Sequence, residues 1–358
     1  MNGGAVAGGY PNVGIFLNGY RMTPGAMAEW GARAERSGIE SVWVAEAFGD
    51  PFIPLALIAE RTSRIRFGPA CALAGRHPYA LCTGLTALDA ISAGRVAVGM
   101  SDGPSGMKRT WYGDPPAKPV RRMREYVEAL KLMLSSHSGV TSEYSGEYYR
   151  FQHFERFDVP VRPTIPVFIG ATRPGMLRLA GELADGVITP ALTSELSLET
   201  VTLPNVREGL EASGRDRAGF ETLSLRICCV HEDEREARRR AKALVLHYVG
   251  IAPALAAVLD LHGLQDVRER VADAFLHGER ERAASLLPDE VVDLVSISGT
   301  ADTCRRRVGE LGRLTDTVIL FPPSVGLSED EADATLEAIL DAFSTTPDAV
   351  RPTGEGKP

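Results

Sequence analysis

No apolar run in this 358-residue chain is long enough to cross a bilayer, and its opening, MNGGAVAGGYP, has neither the basic nor the apolar region of a secretory signal. Both absences point to a cytoplasmic protein without a membrane partner. Cysteine is scarce. Five residues, Cys71, Cys82, Cys228, Cys229 and Cys304, make an odd number without the paired spacing of a zinc site, as expected of reduced thiols. Excess positive charge is missing too: 39 Lys and Arg against 47 Asp and Glu leave −8, which argues against nucleic acid or an anionic membrane surface as a partner. The seven histidines are scattered without HExxH or HxxEH spacing, so no metal site is expected. There is no GxSxG elbow, which argues against a serine hydrolase.

What the chain does have is 44% hydrophobic residues arranged in a βα rhythm. Short apolar runs at Val13–Leu17, Ser41–Ala45, Ile65–Ala70, Arg95–Met100, Ile165–Gly170, Gly186–Thr189, Leu223–Val230 and Thr317–Phe321 read as eight strands. Helical stretches separate them. The first has Thr23 as N-cap, Pro24 at its first position, Met27, Trp30 and Ala34 at helical spacing, and Gly38 at its close. Parallel strands with helical crossovers close most naturally into an α/β (β/α)₈ TIM barrel, because an open sheet of this length leaves two edges unpaired.

The expected organisation is one barrel domain over 12–343, with a flexible leader at 1–11 and a disordered tail at 344–358. Three insertions are expected in it. They are a Gly/Pro loop at 103–119, a hairpin at 141–157 with Ser145-Gly146 at its turn, and a helical segment at 250–298. The run Arg235–Lys242 reads as a solvated helix face.

In such barrels the active face lies at the strand C-termini, so polar residues just past a strand become site candidates. Glu46 follows strand two; it would orient a ligand or pair with an arginine of a neighbouring loop. Asp102 follows strand four, as a catalytic acid or a loop cap. Gly170-Ala171-Thr172-Arg173-Pro174 is a turn into a helix N-terminus, where free N–H groups and Arg173 suit a phosphate, although it matches neither a Walker loop nor GxGxxG. Asn18 and Phe48, past strands one and two, are substrate-side candidates. So are His77, with a structural hydrogen bond as its alternative, and Trp111 and Tyr112, with loop packing as theirs.

The segments SVWVAE, ERTSRIRFGPACALAGRHP, ISAGRVAVGMSDG, IPVFIGATRPGMLRLAGELADGVI and SGTADTCRRRVGEL together resemble the luciferase-like flavin- or deazaflavin-dependent oxidoreductases. Within that family they are similar to the methylenetetrahydromethanopterin reductase branch. The resemblance runs from about Asn12 to Leu340 and implies a cofactor across the strand C-termini, with its phosphate at Gly170–Pro174. It also implies a non-prolyl cis peptide in a bulge at the end of strand three, which by position is Ala70–Cys71, with Ala72 beside the ring. Many relatives carry an acid followed by His after strand two, where this chain has Glu46-Ala47. The acid/base role is therefore assigned first to Asp102 and second to Glu46.

The activity so implied is F420-dependent hydride transfer between deazaflavin C5 and a small electrophile, such as an imine, an iminium or an activated double bond. The alternative is an FMNH₂-dependent monooxygenase, and behind it a non-catalytic flavin-binding barrel. The family also implies a homodimer.

Overall fold

The computed structural model describes residues 10–46, 49–103, 109, 110, 113 and 118–345. Phe48, Trp111, Tyr112, most of the 103–119 loop, residues 1–9 of the leader and residues 346–358 of the tail lie outside the described residues.

Eight parallel strands form the barrel: β1 (Asn12–Leu17), β2 (Ser41–Val44), β3 (Arg66–Pro69), β4 (Val98–Ser101), β5 (Val167–Gly170), β6 (Gly186–Thr189), β7 (Glu221–Val230) and β8 (Thr317–Phe321). They run in the order β3-β2-β1-β8-β7-β6-β5-β4. A Phe67–Val96 bridge just ahead of β4 joins the two ends of that path. Parallel strands packed on both faces need apolar residues at successive positions, and β2, β6 and β8 are buried throughout.

The interior is filled by side chains. Trp43 and Phe168 meet edge-on across it at 5.9 Å. The Arg66 guanidinium lies over both rings, 5.8 and 5.6 Å from their centroids. It also donates two hydrogen bonds to the Glu221 carboxylate, at 2.8 and 2.9 Å. Arg66 and Glu221 are the first residues of β3 and β7, so this ion pair closes the N-terminal floor of the barrel. At Gly68 a Cβ would lie 1.7 Å from the Ala97 carbonyl oxygen, so only glycine lets β3 come this near β4.

Outside run α1 (Pro24–Arg36), α2 (Phe52–Arg61), α3 (Pro78–Ser92), α4 (Pro119–Ser135), α5 (Pro174–Leu183), α6 (Leu203–Ala212), α7 (Glu234–Ile251), α8 (Ala301–Leu311) and α9 (Glu329–Ala342). Thr23 caps α1 as expected, its hydroxyl accepting from Ala26 N at 3.2 Å. The hairpin pairs Ser142–Ser145 with Arg150–Phe154, antiparallel, and Gly146 N donates to Tyr149 O across its turn at 2.8 Å.

Two expectations need correction. The 250–298 segment is helical only as far as Val295, and Ser296–Gly299 is a strand paired with Ile227–Val230 of β7. That strand has one large apolar residue, Ile297, between two serines, too little for an alternation signal. The Arg235–Lys242 run is not simply solvated. Arg240 donates to Glu236 at 2.7 Å and to the Thr335 hydroxyl of α9 at 3.0 Å, and Arg239 donates to Glu236 at 2.7 Å and to Glu331 at 2.5 Å. Among the described residues no single helix is long and apolar enough to cross a membrane.

Candidate active site

Residues leaving β2, β3, β4 and β5 make a continuous arc on the C-terminal rim: β2 pairs with β3 and β4 with β5, the Phe67–Val96 bridge brings β3 to β4, and the short Ala72–Leu73 strand pairs with β4. The centre of the arc is the segment after β3. The Ala70–Cys71 peptide is cis, at the position implied by the resemblance. Ala72–Leu73 then pairs with Met100–Ser101 of β4, and Ala74 N donates to Ser101 O at 2.9 Å.

The two segments assigned to the cofactor meet. A Cβ on Gly170 would sit 2.7 Å from Cys71 Sγ, so the bulge reaches across to the end of β5 because position 170 has no side chain. Burial pushes the Cys71 thiol up to about 12, so it is not a thiolate at neutral pH. Beyond Gly170, Ala171 is buried, Thr172 is half-buried, and Arg173 and Pro174 are exposed. Arg173 stands at the N-cap of α5 without a side-chain cap hydrogen bond, and Pro174 follows at the first helical position. Pro174 has no N–H, and Met176 and Leu177 N donate to Arg173 O at 3.0 Å, so Gly175 N of the first turn and the exposed Arg173 side chain are what fit a phosphate here.

Glu46 ends the arc at β2, and both its oxygens are engaged. Oε2 accepts from Leu73 N at 2.8 Å and Oε1 from Arg76 Nε at 2.7 Å. Arg76 also donates to Asp50 at 2.7 Å, and its guanidinium lies 5.0 Å from the Phe52 ring centroid. The pairing with a loop arginine, one of the two readings of Glu46, is present. Within Arg76-His77-Pro78 the sequence points to His77, yet the bond to Glu46 is made by Arg76.

Asp102 lies directly beyond β4, partly exposed. Gly103 after it has φ +76°, and a Cβ there would lie 3.3 Å from Leu73 Cδ2, which puts Asp102 alongside the bulge. Glu46 and Asp102 thus flank the cis segment from β2 and β4.

Two substrate-side candidates make hydrogen bonds within the scaffold. Asn18 is buried; Nδ2 donates to Ser324 Oγ at 2.9 Å and Oδ1 accepts from Tyr20 N at 2.9 Å, tying the end of β1 to the segment after β8. His77 caps α3, with Nδ1 accepting from Tyr79 N at 3.2 Å, and its ring lies edge-on to Tyr149 at 6.2 Å. Arg76, Ser324 and Arg122, which donates to the Ala74 carbonyl at 2.9 Å, were not singled out from sequence. Each is separated in the chain from the group it serves, and no local pattern marks it. Among the described residues no group of three or more His, Cys, Asp or Glu is placed to hold a metal ion.

The luciferase-like monooxygenase family profile matches residues 8–317. The 5,10-methylenetetrahydromethanopterin reductase of Archaeoglobus fulgidus is 32% identical over 307 residues, covering 82% of this chain and 88% of that protein. A putative coenzyme F420-dependent oxidoreductase of Mycobacterium tuberculosis is 29% identical over 306 residues, covering 78% and 86%. Among solved structures, the coenzyme F420-dependent tetrahydromethanopterin reductase of Methanopyrus kandleri superposes with a TM-score of 0.80 at 25% identity, covering 93% of this chain and 99% of that one.

Proposed function

This chain belongs to the luciferase-like monooxygenase family, and from that membership we propose that it is an F420-dependent oxidoreductase acting on a small electrophilic substrate, an imine, an iminium or an activated double bond. It is an enzyme of that family, whose relatives include F420-dependent oxidoreductases. The observation that carries the reading is the meeting of the Ala70–Cys71 bulge with the Gly170–Pro174 turn, which joins a support for a planar ring to a seat for its phosphate.

The deazaflavin, when bound, supplies hydride exchange at C5. The protein's part is to bind, to orient and to handle a proton. The start of α5 and Arg173 would hold the phosphate, Ala70, Cys71 and Ala72 would support the ring, and the filled interior excludes water from below. Asp102, next to the bulge, holds the proton exchanged with the substrate. Glu46, with both oxygens engaged, positions the bulge. The protein acts as a cytoplasmic homodimer.

The family's monooxygenase description supports a second reading, in which reduced FMN takes the same seat and oxygen is the co-substrate. Titration of the purified protein with F420 and, separately, with reduced FMN tests both. Tight F420 binding without oxygen uptake is expected, whereas preference for FMN with oxygen consumption overturns the assignment. Asp102→Asn is expected to slow turnover on the order of 10²-fold while cofactor affinity holds, and full turnover in that variant removes Asp102 from the mechanism.

A further inference from the structure

We infer that α4 and the hairpin after it form a bracket that fixes the bulge from outside the barrel, with Arg122 as its positioning residue. The link from bracket to catalysis rests on the reading of the bulge as the cofactor's support.

The loop after β3 is tied to β4 by the Ala72–Leu73 ladder and by Ala74 N to Ser101 O, and side chains hold it on two further sides. Glu46 takes the Leu73 N–H and the Arg76 guanidinium, at 2.8 and 2.7 Å, from the barrel side. From the opposite side Arg122 Nη2 donates to the Ala74 carbonyl at 2.9 Å. Arg122 is 8% exposed, and a guanidinium that far from water keeps one geometry only if its helix is itself fixed in place.

The next turn of α4 supplies that fixing. Arg122, Glu125 and Tyr126 share one helix face, at i, i+3 and i+4. Glu125 is 5% exposed and accepts from Tyr148 N, at the hairpin turn, at 2.7 Å. Burial pushes its carboxyl up, but the N–H groups of Tyr148, Glu147 and Tyr149 and the Arg121 side chain outweigh burial and hold it below the usual carboxylate range. The hairpin turn therefore wraps a buried carboxylate. Tyr126, fully buried, meets Tyr149 edge-on at 5.3 Å, and Tyr149 in turn meets His77 at 6.2 Å. The circuit closes where it began: loop to α4 through Arg122, α4 to hairpin through Glu125 and Tyr126, hairpin back to loop through Tyr149 and His77.

The hairpin is then no decoration of the barrel. Together with the ladder to β4 and with Glu46 on the inner side, it fixes where Ala72–Ala74 stand relative to Gly170.

The test uses the full chain and three variants, Arg122→Met, Arg122→Lys and Tyr149→Ala. Its readouts are amide hydrogen exchange over residues 71–77 and fluorescence titration with F420 and with FMN. Arg122→Met and Tyr149→Ala are expected to speed exchange in 72–76 several-fold, to leave β6 and β7 unchanged, and to weaken binding of the preferred cofactor about tenfold through lost preorganisation. Arg122→Lys, which keeps a donor, is expected to recover most of both. Unchanged exchange at 72–76 in Arg122→Met and Tyr149→Ala overturns the bracket. Faster exchange with undiminished cofactor affinity upholds the bracket and sinks the reading of the bulge as cofactor support. Should Arg122→Met not fold, Tyr149→Ala, at the partly exposed hairpin, carries the same decision.

Discussion

At the scale of single residues the site depends on a missing atom. Gly170 is tolerated beside Cys71 because it has no Cβ, which would stand 2.7 Å from the sulfur. Gly170→Ala must push the Cys71 side chain, and with it the bulge, away from β5. Cofactor affinity is expected to fall about tenfold, a modest displacement in a preorganised seat. Cys71→Ala in the same chain removes the obstructing sulfur and is expected to restore binding. Titration of the single and double variants decides this, and an unaltered affinity in Gly170→Ala removes the steric account. The candidate site was partly legible at this scale. Glu46, Asp102 and the Gly170–Pro174 turn stand out as polar or glycine-bearing breaks at strand ends, whereas Ala70–Ala72 has no local mark and is placed by the family resemblance alone. Arg122 and Ser324 do not, because what identifies them is a carbonyl or an amide contributed by a distant part of the chain.

At the scale of elements, α7 and α9 are joined through Arg239 and Arg240 of α7, which reach Glu331 and Thr335 of α9 and are held by Glu236. Hydrogen bonds from Arg239 and Arg240 hold its carboxyl at about 2, against 4.5 for the free group. Arg239 also reaches Glu331 of α9. A carboxyl depressed by folding contributes stability above its unfolded value and loses that contribution as pH falls through its folded value. Glu236→Gln is therefore expected to cost about 1 kcal/mol at neutral pH, since the cluster faces solvent on one side. The difference between the two proteins should shrink between pH 4.5 and about 2, read by urea denaturation across that window. A gap that stays constant with pH excludes the linkage. Elements with a strong local rhythm were legible: Gly186–Thr189 has the bounds read from its sequence, and α1 has its Thr23 cap. Ser296–Gly299 was not, since its pairing depends on β7 extending past β8, a property of the whole sheet.

At the scale of the molecule, barrel closure was legible because an open parallel sheet of eight strands leaves two edges unpaired. One surface stands out from the rest. Helix α3 carries one charged residue, Asp89, and that residue is buried against Arg162 at 2.7 Å. Its outer positions are Tyr79, Ala80, Thr83, Ala87, Ala90 and Ile91, and Ile53 and Leu57 of α2 are exposed as well. A helix with no charge facing outward is normally covered. Self-association through this face is expected, giving twice the chain mass in light scattering. Ala87→Arg should return the chain to a monomer, and a dimer that survives it uses another surface.

The Arg66–Glu221 pair beneath the rings has a kinetic consequence. With the floor shut, traffic passes through a single doorway, the rim where β2 to β5 end. If the ring and its partner stack on that rim, the one lying against the barrel must arrive first and depart last. Turnover should therefore obey a compulsory order, and a dead-end analogue of the later arrival should trap the earlier one inside.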